Sequence, residues 1–162
     1  MGRIVVIGSS NTDMVVKSRK IPSPGETILG GTFLMNPGGK GANQAVAAAR
    51  LEGNVTFVTK TGNDLFGEQA RHIFEFEKID SRFMVKDPRN PSGIALIMVD
   101  QEGENCIAVA PGANGTLSAY DVADEVYGKD PSDVFLMQLE IPVSTVEFIA
   151  QKVSQKGNRV IL

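Results

Sequence analysis

Residues 37–46 read Pro37-Gly38-Gly39-Lys40-Gly41-Ala42-Asn43-Gln44-Ala45-Val46. Three glycines here let the backbone approach a bound molecule without a Cβ in the way. The small-residue stretch that follows, Ala42 to Arg50, predicts a helix that begins inside this loop. A helix N-terminus fed by a glycine loop presents unpartnered N–H donors and the positive end of the helix dipole. That arrangement suits an anion or a hydroxyl-rich ligand, although the same pattern also serves as a plain tight turn. A phosphate-binding P-loop is excluded twice, because its first glycine position falls on Leu34 and the residue after the lysine is Gly41. A dinucleotide fingerprint is excluded as well, since the first strand runs into Gly8-Ser9-Ser10-Asn11.

Outward from this loop the pattern is α/β. Residues 3–8 alternate little and are branched, as in a strand buried on both faces. Residues 54–60 and 133–139 read as further core strands, and Val160-Ile161-Leu162 starts another. Helices are predicted over 42–52, over 65–78 with Asp64 as cap, from Ser118 to about Tyr127 behind a Ser118/Asp121 capping box, and over 142–156. Ala42, Ala45, Val46 and Ala49 form a face that packs closely on a sheet. This alternation predicts a mostly parallel sheet with right-handed crossovers. The more polar runs near 12–18, 27–35, 93–100 and 105–109 predict a separate small sheet, the last two joined as a hairpin. A chain that stops inside a predicted strand reads as part of a longer α/β domain.

Composition narrows the function classes. The 162 residues suffice for one domain with a real core, and 42% apolar content is that of an ordinary globular protein. A net charge of −3 leaves no electrostatic footprint for nucleic acid. No apolar run approaches the ~20 residues that span a bilayer, so no membrane partner is expected. Cys106 is the only cysteine, which rules out an intrachain disulfide, and its apolar run predicts a small core residue. His72, the only histidine, has no second ligand near it in sequence, so no metal site is expected there.

Several motifs stand in a telling order. Val6-Ile7-Gly8-Ser9-Ser10-Asn11-Thr12-Asp13, Pro24-Gly25-Glu26-Thr27 and Gly38-Gly39-Lys40-Gly41-Ala42-Asn43-Gln44-Ala45 come first. Thr61-Gly62-Asn63-Asp64, Phe66-Gly67, Glu102-Gly103-Glu104-Asn105, Pro111-Gly112-Ala113-Asn114 and Met137-Gln138-Leu139-Glu140 follow. Together they resemble the ribokinase and fructokinase-like (PfkB) carbohydrate kinases, over the whole chain but only about the N-terminal half of a member. The resemblance implies a three-layer α/β/α fold with a small β-sheet lid formed by the four runs named above. It implies ATP-dependent phosphorylation of a sugar's primary hydroxyl, ribose at its 5-hydroxyl, with Mg²⁺ and K⁺ as accompanying ions. It places substrate contacts on Asn11, Asp13, Gly38, Gly39, Lys40, Asn43 and Glu140, with Ala95 and Ile107 as lid residues facing the ligand. It also implies a cytoplasmic homodimer joined through the lid sheets.

The chemistry of these residues agrees with a sugar site. Asp13 and Glu140 accept from hydroxyls, and Asn43 both donates and accepts. A sugar lacks apolar bulk, so its affinity must come from converging, charge-assisted hydrogen bonds. The departures are equally informative. The family's Gly-x-Gly-Asp motif, which supplies the base and the anion hole, occurs nowhere in the chain, and neither does Asn-x-x-Glu. No catalytic residue and no metal ligand is therefore expected here, and the chain alone is expected to be inactive. Two alternatives stand beside ribose: another PfkB kinase acting on a nucleoside or hexose, and a non-catalytic sugar-binding or interaction fragment.

Overall fold

The computed structural model describes residues 2–128 and 130–162; Met1 and Lys129 lie outside the described residues. Its centre is a parallel four-stranded sheet built from β1 (Ile4–Ile7), β4 (Val55–Val58), β9 (Val134–Met137) and β10 (Arg159–Ile161), in the order β10-β9-β1-β4. The register sets Ile4 beside both Val55 and Val134. Each central strand is branched and apolar because both of its faces are covered.

On one face lie α1 (Lys40–Arg50) and α2 (Leu65–Phe76), packing Ala42, Ala45 and Phe74 against Val6 and Phe57. On the other lies α3 (Val143–Ser154), whose Val146, Ile149 and Val153 meet Val5, Ile7 and Phe135. The result is the expected three-layer α/β/α arrangement. Asp64 caps α2 as predicted, accepting from the Gly67 N–H at 2.9 Å. It also accepts from the Ser92 N–H at 2.8 Å and the Ser92 hydroxyl at 2.6 Å, which ties the start of α2 to the root of a lid strand.

A second sheet stands over the carboxyl ends of the first. It consists of β2 (Asn11–Lys17), β3 (Thr32–Gly38), β7 (Gly93–Val99) and β8 (Asn105–Ala110), in the order β3-β2-β7-β8. The run expected near 27–35 pairs only from Thr32, because Gly30 and Gly31, with φ of 93° and 114°, turn the chain before it. It then continues through Pro37, whose missing N–H is tolerated on an edge strand. A short parallel pair, β5 (Lys60–Gly62) with β6 (Val85–Asp87), completes the sheets, and β6 was not foreseen.

Two further expectations are corrected. The segment from Ser118 to Tyr127 is not one helix but two 3-10 turns, Ala119–Asp121 and Asp124–Tyr127. The capping box forms, yet Lys60 Nζ holds both Asp121 carboxylate oxygens at 3.1 and 3.0 Å and the Thr116 carbonyl at 3.1 Å. The chain then extends at Val122 and Ala123, which lets Val122, Val126 and Tyr127 all reach the core. Cys106 is exposed rather than buried, because β8 is an edge strand with every residue exposed. No helix among the described residues is long and apolar enough to cross a membrane.

Candidate functional site

Strands β1 and β9 are neighbours, and helices leave them toward opposite faces of the sheet. The crevice outside the carboxyl ends of such strands is where open α/β sheets bind ligands. Here β1 runs out into Gly8-Ser9-Ser10 and directly into lid strand β2, while β9 runs out into Gln138-Leu139-Glu140. Glu140 thereby reaches the start of α1. Its Oε2 accepts from the Ser9 hydroxyl at 2.7 Å and the Lys40 N–H at 3.0 Å, and its Oε1 lies 3.1 Å from Lys40 Nζ.

Burial alone would push the Glu140 carboxyl upward. The Lys40 N–H, the Ser9 hydroxyl and the Lys40 ammonium outweigh that and hold it below its ordinary value. This corrects the expectation of open donors at α1. The Lys40 N–H goes to Glu140, Gly41 N–H to Ser9 Oγ at 3.3 Å, Ala42 N–H to the Ser9 carbonyl at 2.9 Å and Asn43 N–H to the Gly39 carbonyl at 2.9 Å. The anion at this helix end is the protein's own Glu140.

The glycines also make room chiefly for the protein itself. A Cβ on Gly38 would overlap the Asp13 carboxylate. Gly39 sits at φ 92°, a conformation that disfavours any side chain, and packs against the backbone of Ser9, Ser10 and Asn11. Its N–H donates to no described residue.

Asp13 accepts no hydrogen bond from any described side chain, in contrast to Glu140. Burial, and secondarily the charge of Glu140, push its carboxyl above the ordinary value. In the lid, Asp13 pairs with Asn36 on one side and Ala95 on the other, and Ala95 pairs with Val109. These four therefore share one face of the sheet. Ile107 lies on that same face, paired with Ile97 and half exposed. Asn11 Oδ1 accepts from Asn114 Nδ2 at 2.8 Å, and Asn114 is buried.

A cleft of about 500 Å³ opens between lid and core, lined by Ser9, Asn11, Val109, Asn114, Leu139 and Glu140. Of the sequence-predicted residues, Asn11 and Glu140 line it and Lys40 pairs with Glu140, whereas Asp13, Gly38, Gly39, Ala95 and Ile107 are not among its lining residues. Asn43 also stands outside this lining. It is exposed, one turn beyond Lys40 on α1, and lines a separate groove between α1 and α2 with Pro37, Val46, Ile73 and Glu77. Sequence reasoning missed Ser9 and Asn114 as parts of the site. Both lie inside quoted motifs, but their function is to hold other polar groups, which only proximity reveals. Among the described residues, no three His, Cys, Asp or Glu side chains gather closely enough to ligate a metal ion.

Comparison with known proteins bears on the family to which the chain belongs. The model of the pfkB family carbohydrate kinases matches residues 1–162. Ribokinase from Haemophilus influenzae is 40% identical over 159 residues, which covers 98% of this chain and 52% of that protein. Deoxyribokinase from Salmonella typhi is 35% identical over 159 residues, again 98% of this chain and 52% of the relative. The solved structure of Arabidopsis thaliana ribokinase complexed with ribose and ATP matches with a TM-score of 0.88 at 32% identity, covering 100% of this chain and 53% of that one. The chain spans about half the length of the curated relatives it matches. Matched by the family model from end to end and related at this level of identity, the chain belongs to the pfkB family of carbohydrate kinases.

Proposed function

We propose that this chain forms the sugar-binding half and lid of a kinase that phosphorylates ribose at its 5-hydroxyl. One observation carries the reading. The partner-free carboxylate of Asp13 stands in the same corner as the Gly39 N–H and the Glu140–Lys40 pair, beneath a lid and beside a cleft of sugar size. Unsatisfied acceptors and donors held partly out of water are suited to hydroxyls, each of which both donates and accepts. Asn11, Asp13, Gly38, Gly39, Lys40, Asn43 and Glu140 are the proposed contacts, with Ala95 and Ile107 shaping the lid side.

ATP is the phosphoryl donor in this reading, with Mg²⁺ and K⁺ assisting. The described residues hold no carboxylate cluster suited to either ion, so none of them is assigned to this chain. Its own residues bind and orient the sugar. Phosphoryl transfer depends on positioning and on electrostatic stabilisation of the moving group. The Gly-x-Gly-Asp and Asn-x-x-Glu motifs are not among these 162 residues. The chain alone is therefore expected to bind ribose without consuming ATP. We assign it to a cytoplasmic homodimer associated through the lid sheet.

Isothermal titration with ribose and an ADP-release assay with ribose, ATP, Mg²⁺ and K⁺ test the two halves of the claim. Saturable binding without turnover is the expected result. No ribose binding overturns the sugar-site reading, and turnover matching a complete sugar kinase overturns the inactivity. The second reading, 2-deoxyribose as substrate, is favoured by the Salmonella typhi relative. A thermal-shift panel of ribose, 2-deoxyribose, fructose and adenosine separates these sugars.

A further inference from the structure

Resting on the sugar-site reading above, we infer that Asn114 is a positioning residue that sets the polarity of Asn11, so that Asn11 offers the sugar a donor and not an acceptor. The two amides come from positions 103 residues apart. Asn114 is gripped by the peptide groups around Ser10: its Oδ1 accepts from the Ser10 N–H at 2.9 Å, and its Nδ2 donates to the Ser10 carbonyl at 3.0 Å. Turning this amide over would set oxygen against oxygen and nitrogen against N–H, so its orientation is determined by backbone. The second proton of Nδ2 then goes to Asn11 Oδ1 at 2.8 Å. With its oxygen turned to Asn114, Asn11 directs Nδ2 the other way, and no described residue accepts from it.

Gly93 seals this arrangement. It pairs with Asn11 across the lid, and a Cβ there would overlap both Asn11 Oδ1 and Asn114 Nδ2. Three distant segments thus converge to hold one side-chain amide. The lid consequently presents a donor at Asn11, which lines the cleft, and an acceptor at Asp13 on the same face of β2, two groups that read opposite ends of hydroxyl hydrogen bonding.

The experiment uses the 162-residue chain with three substitutions. Asn114→Asp keeps the acceptor for the Ser10 N–H but sets an oxygen against Asn11 Oδ1. Gly93→Ala pushes the same pair apart without adding charge, and covers the case in which a buried carboxylate at 114 prevents folding. Asn11→Asp keeps the bond from Asn114 but presents oxygen to the cleft. Each is expected to weaken ribose binding at least about tenfold by titration. The signature of positioning is spectroscopic. The Asn11 side-chain NH₂ resonances of the ligand-free protein, identified by their loss in Asn11→Asp, should shift in Gly93→Ala and in Asn114→Asp.

Unchanged ribose affinity in Asn114→Asp and Gly93→Ala overturns the inference, as do Asn11 amide resonances that neither variant moves. Failure of the unsubstituted chain to bind ribose defeats the sugar-site reading instead. In that case the amide resonances alone judge the positioning of Asn11.

Discussion

Asp13 holds a carboxylate that no described side chain or capping N–H satisfies, one strand-width from Ala95 and in the field of Glu140. A group of this kind is kept at a cost to the fold, which is the usual mark of a binding role. Its pKa is raised above an ordinary 3.8, so the folded protein binds the proton more tightly than the unfolded chain. Its stabilising contribution is present in the protonated form and lost as pH rises through the raised value. Asp13→Asn is accordingly expected to raise the melting temperature at pH 7, by about 2 °C after allowance for solvent screening, while weakening ribose binding at least about tenfold. A scanning calorimeter and a titration read the two effects, and a variant that loses both stability and binding would contradict this account. Ribose affinity of the parent chain should decline on acidification from above the normal carboxylate range, as Asp13 takes up its proton. The residue types at this site were legible in the sequence, as Asn11, Asp13, Lys40 and Glu140 all stand in ordered motifs. Their division of labour was not: nothing in the spacing says that Glu140 is bonded to Ser9 and Lys40 while Asp13 is free.

The helix α1 shows the same limit at the scale of an element. Its small-residue face and glycine-rich start were readable, and the helix forms, two residues earlier than expected at its start. The occupancy of its N-terminus was not readable, because the partner comes from 100 residues further along the chain. Glu140 acts as a cap supplied in trans to the helix, doing what an N-cap side chain does locally elsewhere. Removing it in Glu140→Ala leaves the Lys40 N–H and the Ser9 hydroxyl without their acceptor and should cost about 1–3 kcal/mol. Urea unfolding with an unchanged m-value checks this. Glu140 sits below its ordinary 4.5, so its contribution is present above that pH and disappears as pH falls through the lowered value. Acid sensitivity of the parent chain below about pH 4 should thus be blunted in Glu140→Ala. The segment after Ser118 teaches a related lesson. Its capping box was correctly read, but a long-range lysine and the demand to bury Val122, Val126 and Tyr127 together broke the expected helix into two short turns.

Across the whole molecule, the lid is the part without a counterpart to pack on. Phe33, Met35 and Leu96 are exposed on the face of the lid sheet opposite Asp13 and Ala95. Contiguous exposed apolar surface of this kind marks an association site. Strand β10 adds an edge that no described strand pairs. Sedimentation velocity is expected to show species larger than a monomer, and Leu96→Lys should shift them toward the monomer with little change in melting temperature. A monodisperse monomer for the parent chain would remove the support for lid-mediated pairing.

The sequence by itself determined the layered α/β architecture, the existence of a separate lid sheet and the types of residue that meet near the carboxyl ends of β1 and β9. The first two follow from local periodicity, capping and turn chemistry, which neighbouring residues report, and the third from the ordered motifs that carry the family resemblance. Only the tertiary structure decided which of the polar groups are spent on one another and which remain open, since hydrogen bonds such as Glu140 to Lys40 and Asn114 to Asn11 join residues about a hundred positions apart. The availability of a donor or acceptor depends on the three-dimensional company it keeps, and no linear pattern records that.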